Sequence, residues 1–156
     1  MAFEKAKAYL EKCGLADQII ETEHSSATVA AAAEALGCDE AMIAKTLSFL
    51  QDEQPVLILV SGEAKIANPK YKAFFHEKAK MIPGDQVESL IGHDIGGVCP
   101  FGINDGVTVY LDESLRRHEI VYPAVGNDHS GVKLTIPELE ECSGYREWVD
   151  VCKQPE

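Results

Sequence analysis

Residues 96 to 102, GGVCPFG, put three glycines, a proline and a thiol into seven positions. Gly96 and Gly97 can take backbone angles closed to other residues, and Pro100 removes one N–H while fixing its own φ. Such a loop can hold its amides pointing into a cleft, where they would receive the negative charge a carbonyl oxygen gains during acyl transfer. A tight turn between two elements has the same composition, so both readings stay open. Cys99 offers a second chemistry, because a thiolate paired with His93 or His129 is an activated nucleophile. Its alternative is a small buried structural cysteine.

Two further groups could take part. In Ala44-Lys45-Thr46-Leu47-Ser48-Phe49, strand alternation puts Lys45 on the face of Leu47 and Phe49, pointing inward or into a cleft. Burying an ammonium is costly unless it is paired, so the position is either functional or a strand end whose lysine reaches solvent along its stem. The GNDHSG segment, residues 126 to 131, gathers Asn127, Asp128, His129 and Ser130 between two glycines. A turn between strands would look the same, yet it could also present a carboxylate and an imidazole to a cleft.

These groups need a frame. Phe3, Ala6, Tyr9, Leu10 and Cys13 share one helical face over residues 2 to 13, and an extended piece, QIIETE, follows Gly14. Ser26 or Thr28 caps an alanine-rich helix that stops at Gly37. Strands are predicted at 44 to 50 and 55 to 61, joined by a polar DEQ turn. The second, VLILV, is apolar throughout and therefore central. Residues 68 to 79 suit a helix with Asn68 as cap and Pro69 in its first position, and another helix starts at Pro83. After the GGVCPFG loop come the strand GVTVYLD, the short helix DESLRRH, the strands EIVYPAVG and SGVKLTI, and a helix opened by Pro137. The interleaving is irregular. It predicts one α/β domain, 1 to 156, with a mixed, mostly antiparallel central sheet surrounded by helices and a loosely specified tail after Ser143.

The chain has 156 residues and a formal charge of −12, enough length for a core without staples and too acidic for a broad nucleic-acid surface. A site that grips only a nucleic-acid end needs only a local basic patch, and GEAKIANPKYK supplies Lys65, Lys70 and Lys72 within eight positions, with Lys45 in the segment just before. A solvated lysine-bearing helix start is the alternative. The N-terminus lacks signal-peptide order and no apolar run could cross a bilayer, which predicts a cytoplasmic protein with no membrane partner. Five cysteines and five histidines are scattered without ligand spacing, which predicts reduced thiols, no metal and no cofactor. Phosphate-loop, dinucleotide, kinase and GxSxG motifs are all absent from the sequence.

Taken together, HSSATVAAAAEALG, IAKTLSF, VLILVSGEAKI, GGVCPFG, VTVYLDESL and VGNDHSGVKLT resemble, in order and approximate spacing, the YbaK-type domain, also called the prolyl-tRNA-synthetase editing-domain family. The resemblance covers roughly residues 3 to 140. It implies a partly barrel-like sheet and a free-standing hydrolase that removes a wrongly attached amino acid from tRNA of the proline type. The partners it implies are the aminoacyl-tRNA acceptor end and a prolyl-tRNA synthetase. The family's lysine falls on Lys45, and its GxxxP loop on Gly96, Gly97, Val98, Cys99 and Pro100. Substrate contacts then fall to His24, Thr28, Ser61, Lys65, Phe101, Gly102, Gly126, Asn127, Asp128 and His129. Attack by water or by a group of the substrate is implied, and Cys99 becomes a small loop residue. A binding module that uses the same cleft without catalysis is the competing expectation.

Overall fold

The computed structural model describes residues 2 to 23, 28 to 93 and 96 to 153. Its centre is the hairpin of β2 (Ile43–Gln51) and β3 (Gln54–Ser61), eight residue pairs in antiparallel register. Asp52 and Glu53 make the turn with φ of 50° and 64°, the primed geometry whose twist matches paired strands. Glu77 supports that turn by accepting the Asp52 N–H at 3.1 Å.

β4 (Thr108–Asp112) lies parallel to β3, and β5 (Ile120–Pro123) lies parallel to the start of β2. β7 (Leu134–Thr135) and β8 (Glu147–Val149) complete a six-stranded sheet in the order β7-β5-β2-β3-β4-β8. A separate ladder joins β1 (Ile19–Glu21) to β6 (Ser130–Val132). The expected single strand SGVKLTI is thus split at Lys133 between two ladders, which helps curl the sheet into a half-barrel. Parallel and antiparallel ladders are mixed, as the irregular interleaving predicted, and the antiparallel ones pair more residues.

The all-apolar strand is central and buried on both faces. Leu57 and Leu59 join one cluster with Leu10, Ile91, Leu111 and Leu139, while Val56, Ile58 and Val60 join another with Tyr71 and Val151. Each such fully buried leucine contributes about 1.5–3 kcal/mol. The helices cover these faces: α1 (Ala2–Lys12), α2 (Val29–Leu36), α3 (Asn68–Phe75), α4 (Gly84–Ile91) and α5 (Ile136–Ser143). Thr28 caps α2 by accepting the Ala31 N–H, and Thr135 and Glu138 form a reciprocal capping box on α5.

Three expectations are corrected. The helix expected over 68 to 79 ends at Phe75, with His76 left-handed at φ 65°, because the chain must leave it to bring Met81 against Phe49 of β2. Asn68 is also its first residue and not a side-chain cap. The described tail after Ser143, to residue 153, has defined structure: β8 adds to β4, and Val149, Val151 and Cys152 are buried. Finally, the thiols are not all reduced, since Cys13 after α1 and Cys142 in α5 form a disulfide with Cα atoms 6.0 Å apart, leaving Cys38, Cys99 and Cys152 free. Scattered spacing concealed that pair because α1 and α5 meet only in the fold.

Candidate active site

β2 carries the floor of a cleft of about 340 Å³. Its outer edge pairs with β5 only at Ile43 and Ala44, and again with Met81 opposite Phe49. Between these contacts no strand pairs with the edge among the described residues. The Gly62 N–H donates to Ile43 O at 2.7 Å, so odd-numbered residues turn their main-chain groups towards β3. Even-numbered residues turn theirs outward, as shown by Ser48 O accepting from Ile82 N and Leu50 N donating to Lys80 O. The main chain of Thr46 therefore faces the open edge. Its Oγ1 is buried and has no partner among the described residues.

Lys45 stands on the opposite face of β2, at the margin of the cleft, sharing that face with Leu47 and Phe49 as alternation predicted. It is half-buried, and its ammonium donates to Gly62 O at 3.3 Å. Burial lowers its pKa; Cys152 opposes that shift and the Lys65 charge adds to it. One of the three ammonium donors is engaged by that carbonyl, so the group can also contact an anionic or carbonyl oxygen.

The GGVCPFG loop and the GNDHSG turn form one unit. A Cβ on Gly97 would lie 2.4 Å from Gly126 C and 2.5 Å from Asn127 N, so the two segments meet backbone to backbone. Of the two glycines that open the loop, only Gly96 uses the left-handed region, at φ 93°; Gly97 is glycine for space. In the turn, Asn127 Oδ1 accepts from His129 N at 3.0 Å and from Ser130 Oγ at 2.7 Å. His129 Nδ1 lies 3.3 Å from Asp128 Oδ1. Gly96, Val98, Asn127 and Asp128 all line the cleft.

Cys99 does not. It is fully buried behind the loop, with Sγ 3.5 Å from His93 Nε2 and 3.7 Å from Phe101 O. His93 Nε2 is 2.6 Å from Phe101 O, and a carbonyl only accepts, so this nitrogen carries the proton and cannot take one from the thiol. Burial pushes the Cys99 pKa up to about 12 and lowers that of His93, so both are neutral near pH 7. The thiolate–imidazole chemistry is thereby overturned for this pair, and His129 sits on the separate turn.

The structure thus brings together Thr28, Lys45, Gly96, Val98, Asn127 and Asp128. Gly97, Pro100, Phe101 and Gly126 support the loop pair from behind, and Gly102 packs against Lys5 O. Ser61 is buried and structural, donating from Oγ to Ala41 O and from N to Ser114 Oγ. Lys65 is exposed outside the cleft, and His24 lies outside the described residues. Sequence reasoning missed Thr46 and Ser48 and the apolar wall of Val29, Ala32 and Leu36. The strand alternation that singled out Lys45 also puts Thr46 and Ser48 on the other face, which was the available signal.

Residues 23–142 match the family described as aminoacyl-tRNA editing domain. The chain is 42% identical over 154 residues to the uncharacterized protein YwhH of Bacillus subtilis, covering 98% of both. It is 31% identical over 113 residues to a proline–tRNA ligase of Streptococcus sanguinis, covering 69% of this chain and 17% of that one. A solved structure described as a candidate trans-editing enzyme for prolyl tRNA synthetase superposes with a TM-score of 0.88 at 28% identity over 98% of each chain.

Proposed function

The chain belongs to the aminoacyl-tRNA editing domain family, and from that premise we propose that it is a free-standing deacylase that hydrolyses the ester of mischarged tRNA of the proline type. The observation that carries the reading is convergence. A half-buried ammonium with only one of its donors engaged, an open strand edge and a glycine loop locked against an Asn-Asp turn meet at one small cleft.

In this reading the terminal adenosine of tRNA enters the cleft with its aminoacyl group against the wall of α2. Lys45 contacts the terminal phosphate or the ester carbonyl. Water attacks the acyl carbon, and the oxyanion that forms is stabilised by the amides of the 96–99 loop, fixed before the substrate arrives. Collapse breaks the bond to the ribose oxygen, which takes one of the water's protons and leaves as the free hydroxyl, while the other passes to solvent and the amino acid departs as its carboxylate. No side-chain nucleophile is required. A substrate made during translation places the protein with the cytoplasmic translation machinery.

The test is hydrolysis of a panel of charged tRNAs: alanyl- and cysteinyl-tRNA of the proline type, and serine- and threonine-charged species. Turnover of one member is expected. Saturable binding of tRNA ends with no turnover on any member would replace the deacylase with a binding module. Cys99→Ala should leave hydrolysis within about threefold of wild type while lowering stability by about 1 kcal/mol, the cost of one buried heavy atom. Loss of turnover in a folded Cys99→Ala variant would restore a role for the thiol.

A further inference from the structure

In the reading proposed above only the end of a nucleic acid enters the first cleft, and the net charge of −12 disfavours broad contact with the rest. Charge is nevertheless unevenly distributed. Residues 65 to 80 carry five lysines and one acid, Glu77, in a chain whose net charge is −12. Glu77 accepts the Asp52 N–H at 3.1 Å, and Lys70 is paired with Asp150 at 3.0 Å. Lys72 and Lys78 are exposed, and among the described residues no acid pairs with either. Both line a second cleft of about 550 Å³, together with Asn68, Pro69 and Ala79, at the start of α3.

The two clefts are joined by one short piece of chain. Lys78 and Ala79 line the second, and Met81, 59% exposed, lines the first. The three residue steps from Lys78 to Met81 span at most about 11 Å. A strand of RNA whose last nucleotide occupies the first cleft would bring its preceding phosphates over Lys72 and Lys78.

We infer that the Lys72–Lys78 cleft is the docking surface for the RNA phosphodiester backbone of the acceptor stem, and that it sets the direction from which tRNA reaches the catalytic cleft. The inference rests on the tRNA reading proposed above but concerns binding and not hydrolysis. The lysines act as point charges on phosphates, so recognition here is independent of sequence and sensitive to salt.

The experiment compares wild type, Lys72→Gln/Lys78→Gln, and Lys7→Gln/Lys12→Gln, which removes the same charge from exposed positions on α1. Binding of uncharged proline-type tRNA and of the CCA trinucleotide is measured over a salt series, with thermal melting as the check on folding. For the Lys72/Lys78 variant, tRNA affinity should fall roughly tenfold at low salt, and the slope of log K against log salt should shrink by about 1 for each phosphate that is no longer neutralised. CCA binding, and tRNA binding by the Lys7/Lys12 variant, should stay as in wild type. Unchanged tRNA affinity and slope would overturn the inference, as would equal weakening of CCA, equal weakening in the Lys7/Lys12 variant, or a wild type that binds no tRNA. Because uncharged tRNA is the probe, absence of hydrolysis defeats the deacylase reading alone and leaves this result to stand or fall by itself.

Discussion

Lys45→Met is expected to lower hydrolysis of whichever charged tRNA the wild type accepts by roughly 10²–10³-fold, the usual cost of removing one preorganised donor to developing charge. Methionine keeps an unbranched stem on the face that position 45 shares with Leu47 and Phe49, and removes the ammonium. Folding should scarcely change. The ammonium is partly desolvated and makes one hydrogen bond, at 3.3 Å, to Gly62 O, so its loss and the relief of burial nearly offset each other. Single-turnover rates and a melting curve on the same preparation check both halves. A rate within about threefold of wild type would remove Lys45 from the site. The sign of the pH effect is fixed as well: burial depresses the lysine pKa, so the charged form is present at low pH and is lost as pH rises, earlier than for an exposed lysine. Any Lys45-dependent share of the rate should vanish on that alkaline side.

Gly97→Ala should be nearly as damaging by another route. Its φ is ordinary, so alanine meets no backbone strain there. It meets atoms instead: a methyl carbon 2.4 Å from Gly126 C, 2.5 Å from Asn127 N and 2.6 Å from Asn127 Cα, all main chain and unable to rotate away. The loop and the turn must separate by about 1 Å, a displacement that can cost about 10²-fold when it moves groups around a reacting centre. Overpacking of this kind destabilises by about 1–3 kcal/mol. The measurement is kcat on the accepted substrate together with the melting temperature. An alanine variant with unchanged kcat would show that the register between the two segments does not control the site.

Much of this arrangement is legible in the sequence, for reasons that differ by residue. VLILV announces a strand buried on both faces because no polar position interrupts it, and β3 is that strand. Lys45 stands out because two-residue alternation conflicts with its charge. The GGVCP loop stands out because its composition permits few backbones. What stays hidden depends on contacts between distant segments. Nothing near Cys13 announces Cys142, 129 positions away. Nothing near Gly97 announces that the backbone of residues 126 and 127 fills the space a side chain would need. Cys99 looks reactive when read beside His93, and only the 2.6 Å contact from His93 Nε2 to Phe101 O shows which atom holds the proton.

The strand added after Ser143 has a consequence for how the molecule behaves in company. The family match ends at residue 142, whereas β8 pairs with β4 and Val151 N donates to the buried Asp112 carboxylate at 2.9 Å. A chain cut to the matched stretch would retain every residue assigned to the cleft, yet it would uncover the apolar TVYLD edge of β4 and strip Asp112 of one of its donors. An exposed apolar strand edge is a template for pairing with other chains. The last ten described residues thus act as a safeguard against self-association, and their worth would be read in solubility and light scattering before it was read in any rate.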